Sequence, residues 1–166
     1  MINIKIINFP FCNFFSLERY LRVKGLNYSI IDNGNTLNSK DILFIPGVGT
    51  FGEGMNYLKD LGLDTVIKSH ADKGGKIIGI CLGMQLLFCK SEESPLSEGL
   101  SFFEGICKKI PFSKNFSIPH IGWNSLKIID NNKNNLLKEF KTTSNISKFD
   151  YYFVPIYQIH FLKILN

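Results

Sequence analysis

The sequence predicts an α/β fold with a mainly parallel sheet. Strand-like and helix-like segments alternate along the first half of the chain, an order typical of parallel strands joined by crossover helices. The strand candidate at residues 42–45 is wholly apolar, as expected for a strand covered on both faces. A length of 166 residues suits one structural unit, so we expect a single domain over residues 1–166.

The individual elements follow from residue type and from the turn residues between them. Runs of β-branched and other apolar residues predict strands, and Gly25 suits the end of a first helix. After Pro95 the strands become short, which indicates a mixed or antiparallel extension of the sheet. The predicted strands cover residues 2–8, 28–31, 42–45, 76–80, 102–110, 126–129 and 150–154. The strand at 76–80, like that at 42–45, is expected to be buried. The strand at 150–154 is expected to be the last of the chain. The predicted helices cover residues 17–24, 54–61, 63–73 and 82–88.

Composition excludes several classes of partner. The net charge of +5 comes from scattered lysines, and Lys108–Lys109 is the one adjacent basic pair, so we expect no nucleic-acid partner. The longest apolar stretch, residues 77–88, contains Gln85 and two glycines and is too short to span a bilayer. The N-terminus lacks the pattern of a signal peptide. We therefore expect no membrane partner.

The cysteines indicate reduced thiols in a cytoplasmic protein. None of the four forms a C-x-x-C pair, so neither a zinc site nor a redox motif is expected. Cys89 and Cys107 lack flanking glycines and fit small buried side chains.

Cys81 is the candidate nucleophile. It stands in Gly-Ile-Cys-Leu-Gly between a strand candidate and a helix candidate, which is the context of a nucleophile elbow. The sharp turn strains the backbone, and flanking glycines relieve crowding on both sides. A helix start favours a thiolate, and the N–H of Leu82 is placed to hold a developing oxyanion. The alternative interpretation is a buried structural cysteine.

A glycine-rich loop follows the strand candidate at 42–45. It reads Pro-Gly-Val-Gly-Thr-Phe-Gly at residues 46–52, at the strand end where ligands bind in open α/β sheets. An N–H from Val48 or Gly49 would complete the oxyanion hole. The motifs of phosphate-binding loops are absent, and the alternative is a tight turn without chemistry.

Three motifs together carry a family resemblance. P-G-V-G-T-F, G-I-C-L-G-M-Q-L-L-F and P-H-I-G-W-N occur in this order, the last at residues 119–124. The chain resembles, from residue 1 to about residue 154, the glutaminase subunits of imidazole glycerol phosphate synthase, within the class I glutamine amidotransferases. The resemblance implies their three-layer α/β fold, with the C-terminal part missing.

The resemblance also implies a reaction and its residues. In that family a Cys-His-Glu triad hydrolyses glutamine to glutamate and ammonia, and the ammonia passes to a partner cyclase with a (β/α)8 barrel, with no cofactor and no metal. By position, Cys81 is the nucleophile, and Gly49 and Leu82 supply the oxyanion N–H groups. The residues expected to hold glutamine are Gly47, Val48 and Gln85. The residues expected near the cyclase are His120, Gly122, Trp123 and Asn124.

The sequence departs from the family pattern in three places. Pro10 and Cys12 replace two glycines of the family's opening loop, so this loop must differ in shape. Pro155 interrupts the family's Y-F-V-H-S-Y strand and should end or edge it. The family's Q-F-H-P-E segment, which carries the triad His and Glu, has no match. His160 is followed by Phe161 instead of Pro-Glu. We therefore expect these 166 residues to hydrolyse glutamine poorly or not at all.

Three other functions remain open from sequence. A paralogous subunit would supply ammonia to another partner, such as an enzyme that amidates a surface-polysaccharide sugar. A non-catalytic docking subunit would bind a cyclase-like barrel without making ammonia, which the missing His and Glu favour. A cysteine hydrolase of another elbow-bearing family would also carry the Cys81 motif, but the segment at 119–124 disfavours it.

Overall fold

The computed structural model of the protein describes residues 3–10, 12, 14–33, 37–111, 122–125, 150–153 and 157–161. These residues contain nine strands and four helices. The chain divides into a first unit, Met1–Lys109 with Ile159–Asn166, and a second unit, Ile110–Gln158. A single domain over the whole chain stays a prediction.

A four-stranded parallel sheet forms the centre of the first unit. Its strand order is β2-β1-β3-β4, and each neighbouring pair is parallel. The parallel sheet confirms the predicted α/β fold and places the carboxyl ends of its strands at one edge. The strands are β1 (Ile4–Ile7), β2 (Tyr28–Ile31), β3 (Ile42–Ile45) and β4 (Lys76–Gly79).

The helices pack their apolar faces against this sheet. In α2, Phe51, Met55 and Leu58 recur at helical spacing and are 0%, 1% and 0% exposed. Burial of each such side chain stabilises the fold by about 1.5–3 kcal/mol. The four helices are α1 (Phe15–Val23), α2 (Phe51–Asp60), α3 (Leu63–Asp72) and α4 (Leu82–Gln85).

Helix α2 begins with a capping box. The Thr50 side chain accepts a hydrogen bond from the N–H of Glu53, and the Glu53 carboxylate accepts one from the N–H of Thr50. Hydrogen bonds from the Thr50 hydroxyl and N–H lower the pKa of the Glu53 carboxyl. The cap therefore fixes where the glycine-rich loop ends and the helix starts.

The helix predicted at residues 82–88 is wrong in length, because α4 ends at Gln85. The next three residues, Leu86, Leu87 and Phe88, are all buried. One face of a helix cannot bury three consecutive side chains, whereas a turn entering a covered strand can. That strand is β5 (Phe88–Ser91), which the sequence patterns did not predict.

A second sheet of the described strands has the order β5-β6-β9. Strand β6 (Phe103–Lys109) agrees with the prediction at 102–110 and runs parallel to β5. Strand β9 (Tyr157–Phe161) follows the strand that was predicted to be last, so that prediction is wrong. The run Tyr-Gln-Ile-His-Phe alternates between apolar and polar residues, and this pattern indicates a strand.

The predicted burial of β4 is also wrong. Ile78 is 42% exposed, and Ile80 just beyond the strand is 41% exposed. Of the four strands described in the central sheet, β4 stands at one end of the order. An apolar run therefore predicted the strand correctly but not its place at an edge of the described sheet.

The second unit contains an antiparallel strand pair. Strand β7 (Gly122–Ser125) pairs with β8 (Asp150–Phe153), with Gly122 opposite Phe153 and Ser125 opposite Asp150. Strand β8 agrees with the strand predicted at 150–154, whereas β7 was not predicted and pairs with β8 in a separate two-stranded sheet. The strand predicted at 126–129 and Pro155 lie outside the described residues.

The buried thiol of Cys107 on β6 predicts a loss of stability in alkali. Burial, and next the charge of Glu93, raise the pKa of this thiol from 9.0 to about 11. The folded state therefore keeps a proton that the unfolded state releases above about pH 9, and stability falls until about pH 11. The fall is at most about 1.4 kcal/mol per pH unit.

Urea unfolding at several alkaline pH values measures this effect. The control is Cys107→Ala, which loses packing at every pH but carries no thiol to titrate. We expect the stability difference between the two proteins to shrink as the pH rises from 9 to 11. A constant difference over that interval would contradict the prediction.

Candidate functional site

Cys81 occupies a strained turn between β4 and α4. Its φ of 55° and ψ of −117° lie in a region that residues other than glycine rarely adopt. The residue is exposed, whereas Cys107 is buried. The strand-turn-helix context expected for a nucleophile elbow is therefore present, and a buried structural cysteine at position 81 is excluded.

The two glycines that flank Cys81 allow this turn to pack. A Cβ on Gly79 would lie 2.6 Å from the Cα of Met84. A Cβ on Gly83 would lie 1.7 Å from the carbonyl oxygen of Ile45 at the end of β3. No side chain fits at these distances, so both glycines are required for the elbow to rest against the sheet.

The glycine-rich loop after β3 touches the elbow. A Cβ on Gly47 would lie 3.0 Å from the Cβ of Leu82, so loop and elbow are in close contact there. Gly49 has a φ of +111°, which only glycine adopts readily, and Val48 is 50% exposed. The N–H of Leu82 opens α4, where it has no intrahelical acceptor. Four of the residues predicted for this site therefore lie at one edge of the central sheet.

Gln85, predicted to hold substrate, ends α4 one turn after Cys81. It is partly buried, and its backbone carbonyl accepts a weak hydrogen bond from the thiol of Cys107 at 3.7 Å. The four-residue length of α4 gives a much smaller dipole than the predicted seven-residue helix would. Stabilisation of charge at Cys81 therefore depends on nearby N–H groups more than on the helix.

A segment without a predicted role anchors the glycine-rich loop. The carboxylate of Glu93 accepts a hydrogen bond from the N–H of Phe51 at 2.8 Å, and the hydroxyl of Ser94 accepts one from the N–H of Gly52 at 3.0 Å. These N–H groups belong to the last two residues of the loop, which also form the first turn of α2. The paired acids Glu92 and Glu93 before Pro95 were the available signal, but the contact spans 42 residues and has no local pattern.

The residues predicted to lie near the cyclase are not among the described residues of the first unit. His120 lies outside the described residues, and Gly122, Trp123 and Asn124 lie on β7 in the second unit. Among the described residues, no group of three or more His, Cys, Asp or Glu side chains is arranged to hold a metal ion. No described helix is long and apolar enough to cross a membrane.

Comparisons with known proteins give the family of the chain. Residues 3–104 match the family of CobB/CobQ-like glutamine amidotransferase domains, and the chain therefore belongs to the glutamine amidotransferase family. Within that family it is similar to proteins named imidazole glycerol phosphate synthase subunit HisH. It is 37% identical to that of Caldanaerobacter subterraneus subsp. tengcongensis over 158 residues, which cover 95% of this chain and 73% of the relative. It is 40% identical to that of Bacillus mycoides over 124 residues, or 75% of this chain and 58% of the relative.

A solved structure supports the fold. The chain superposes on a crystal structure of a glutamine amidotransferase with a TM-score of 0.69, covering 97% of this chain and 74% of the other. The sequence identity in that alignment is 14%, so the likeness concerns the fold. The predicted glutamine amidotransferase-like architecture is thereby confirmed.

Proposed function

We propose that this chain is a glutaminase subunit of an imidazole glycerol phosphate synthase in histidine biosynthesis. The observation that carries the proposal is the exposed Cys81 in a strained elbow, packed against a glycine-rich loop. The similarity to proteins named as HisH subunits supports this choice of subunit among amidotransferases.

The geometry supports a thioester mechanism. The sulfur of Cys81 attacks the side-chain amide carbon of glutamine, and the carbonyl oxygen becomes an oxyanion. The N–H groups of Leu82 and Gly49 stabilise this oxyanion, while Gly47, Val48 and Gln85 hold the substrate. The C–N bond then breaks, ammonia leaves with an added proton, and water hydrolyses the thioester to glutamate.

The mechanism requires a group that takes the proton of the thiol and returns it to the leaving ammonia. His70 is the one histidine whose side chain lies in the described part of the chain. It is 4% exposed, and its Nε2 lies 3.4 Å from the carbonyl oxygen of Lys76 at the amino end of β4. Cys81 follows the carboxyl end of the same strand, so His70 is not that group. The second candidate function is a docking subunit that binds the partner without making ammonia.

The partner in the proposal is a cyclase with a (β/α)8 barrel, which receives the ammonia. His120, Gly122, Trp123 and Asn124 are proposed to lie near that partner. Val48, Ile80 and Met84 are 50%, 41% and 41% exposed, which gives the first unit apolar surface beside Cys81. Four free thiols support a location in the cytoplasm.

Affinity labelling tests the nucleophile without requiring turnover. A chloroketone analogue of glutamine should alkylate Cys81 at least about tenfold faster than iodoacetamide does, since binding raises the local concentration of the electrophile. Excess glutamine should protect the thiol. Mass spectrometry of peptides locates the label, and Cys81→Ala and Cys89→Ser are the matched controls.

Labelling should disappear in Cys81→Ala and persist in Cys89→Ser. If the analogue reacts no faster than iodoacetamide and glutamine gives no protection, the chain holds no glutamine at this site. The docking function would then be the better description of the protein.

A further inference from the structure

A second thiol lies at the same edge of the sheet as Cys81. Cys12 is in the loop after β1, and Cys81 follows β4. Both strands run parallel and flank β3, so their carboxyl ends lie about 10 Å apart at one edge. Cys12 is partly buried and packs against the core cluster that includes Phe9 and Leu82, the residue next to Cys81.

The pKa of the Cys12 thiol agrees with this placement at one sheet edge. Burial raises the pKa of the Cys12 thiol, and the negative charge of a Cys81 thiolate raises it further. Charges near a protein surface act over about 10 Å or less at physiological salt. Cys12 is therefore a half-buried thiol at the sheet edge that also carries the exposed Cys81.

We propose that Cys12 is a resolving thiol that converts peroxide-oxidised Cys81 into a reversible disulfide. The Cys81 sulfur attacks hydrogen peroxide, the O–O bond breaks, and a sulfenic acid and one water form. The Cys12 sulfur then attacks the Cys81 sulfur, the S–O bond breaks, and the departing hydroxide takes the Cys12 proton as a second water. Two thiols supply the two electrons that reduce one peroxide.

The disulfide would protect the nucleophile. A sulfenic acid without a neighbouring thiol continues to sulfinic and sulfonic acids, which thiols do not reduce. The disulfide instead blocks Cys81 until a reductant restores both thiols. The inference depends on the sulfur at the elbow and its neighbour, and it does not require that the chain hydrolyse glutamine.

The other two cysteines serve as internal controls. The thiol of Cys89 lies 3.3 Å from the carbonyl oxygen of Phe103, and that of Cys107 is buried beside the carbonyl of Gln85. Burial raises the pKa of the Cys107 thiol to about 11, which leaves almost no thiolate at neutral pH. Neither lies after a strand of the central sheet.

The test is to treat the 166-residue protein with stoichiometric hydrogen peroxide, block free thiols, and map cross-linked peptides by mass spectrometry. We expect two of the four thiols to be lost, a peptide pair joining Cys12 to Cys81, and full recovery with dithiothreitol. Cys12→Ser should instead add oxygen at Cys81, and dithiothreitol should not restore it after longer exposure. Cys89→Ser should behave as the wild type does.

The map of cross-linked peptides from the wild-type protein tests the proposal even if a variant folds poorly. Circular dichroism of each variant reports whether it folds. Oxygen added at Cys81 at equal rates in the wild type and in Cys12→Ser would overturn the proposal. A disulfide that joins any other pair of cysteines would overturn it as well.

Discussion

Gly83→Ala is expected to destabilise the protein by more than about 3 kcal/mol, and the variant should be mostly unfolded or insoluble. The new Cβ would lie 1.7 Å from the carbonyl oxygen of Ile45, and that atom belongs to the backbone of β3. The same oxygen accepts a hydrogen bond from the N–H of Ile80 at 2.9 Å, so moving it separates the elbow from the sheet. Costs of this size arise when a rigid core is overpacked.

The soluble yield of the variant, its circular dichroism and, where it folds, its urea unfolding measure this cost, and Gly62→Ala is the matched control. No atom lies within 4 Å of a Cβ built on Gly62, so that substitution meets only the strain of a φ of +65°, about 1 kcal/mol. If Gly83→Ala proves as stable as Gly62→Ala, the close packing of the elbow on β3 is wrong.

A protein made of these 166 residues is expected to release glutamate from glutamine at least about a thousandfold more slowly than a relative with a complete triad. An unassisted thiol is mostly protonated at neutral pH, and a leaving ammonia needs an acid. The described side chains place no histidine beside Cys81, because His70 lies at the other end of β4.

Glutamate release should be measured for the protein alone and with a cyclase partner, with Cys81→Ala as the control. The wild type and the control should then differ little. Turnover that requires Cys81 and rises with the partner would show that the expected inactivity is wrong. His160 or a group of the partner would then supply the base.

The sequence predicted the central sheet well because its signals are local. Residues 42–45 are apolar at every position, and turns bound each strand, so strand positions follow from the residues themselves. The helix was predicted to extend to residue 88 because residues 86–88 are apolar. An apolar run has the same sequence signature in a buried helix and in a turn that enters a buried strand. The exposure of Ile78 depends on strand order, which a single strand's sequence does not contain.

The part of the candidate site that was predictable is the part where glycine marks close contact between two backbone segments. Gly79 and Gly83 flank Cys81, and the structure gives each a backbone contact that excludes a side chain. The hydrogen bond between Glu93 and the first turn of α2 was not predictable, because its partner Phe51 is 42 residues away. In sequence, a carboxylate that makes such a bond cannot be told from any other carboxylate in a loop. The neighbourhood of Cys12 and Cys81 likewise depends on the order of strands.

The anchoring of α2 by Glu93 and Ser94 has a consequence for synthesis on the ribosome. Thr50 and Glu53 can form their capping box as soon as they leave the exit tunnel. The N–H groups of Phe51 and Gly52 remain without these acceptors until Glu93 and Ser94, 42 residues further along the chain, have been synthesised. A nascent chain that has left the tunnel only as far as α4 would thus expose Cys81 while the neighbouring loop is still unanchored. The site acquires its final form only when translation has passed the β5–β6 connection.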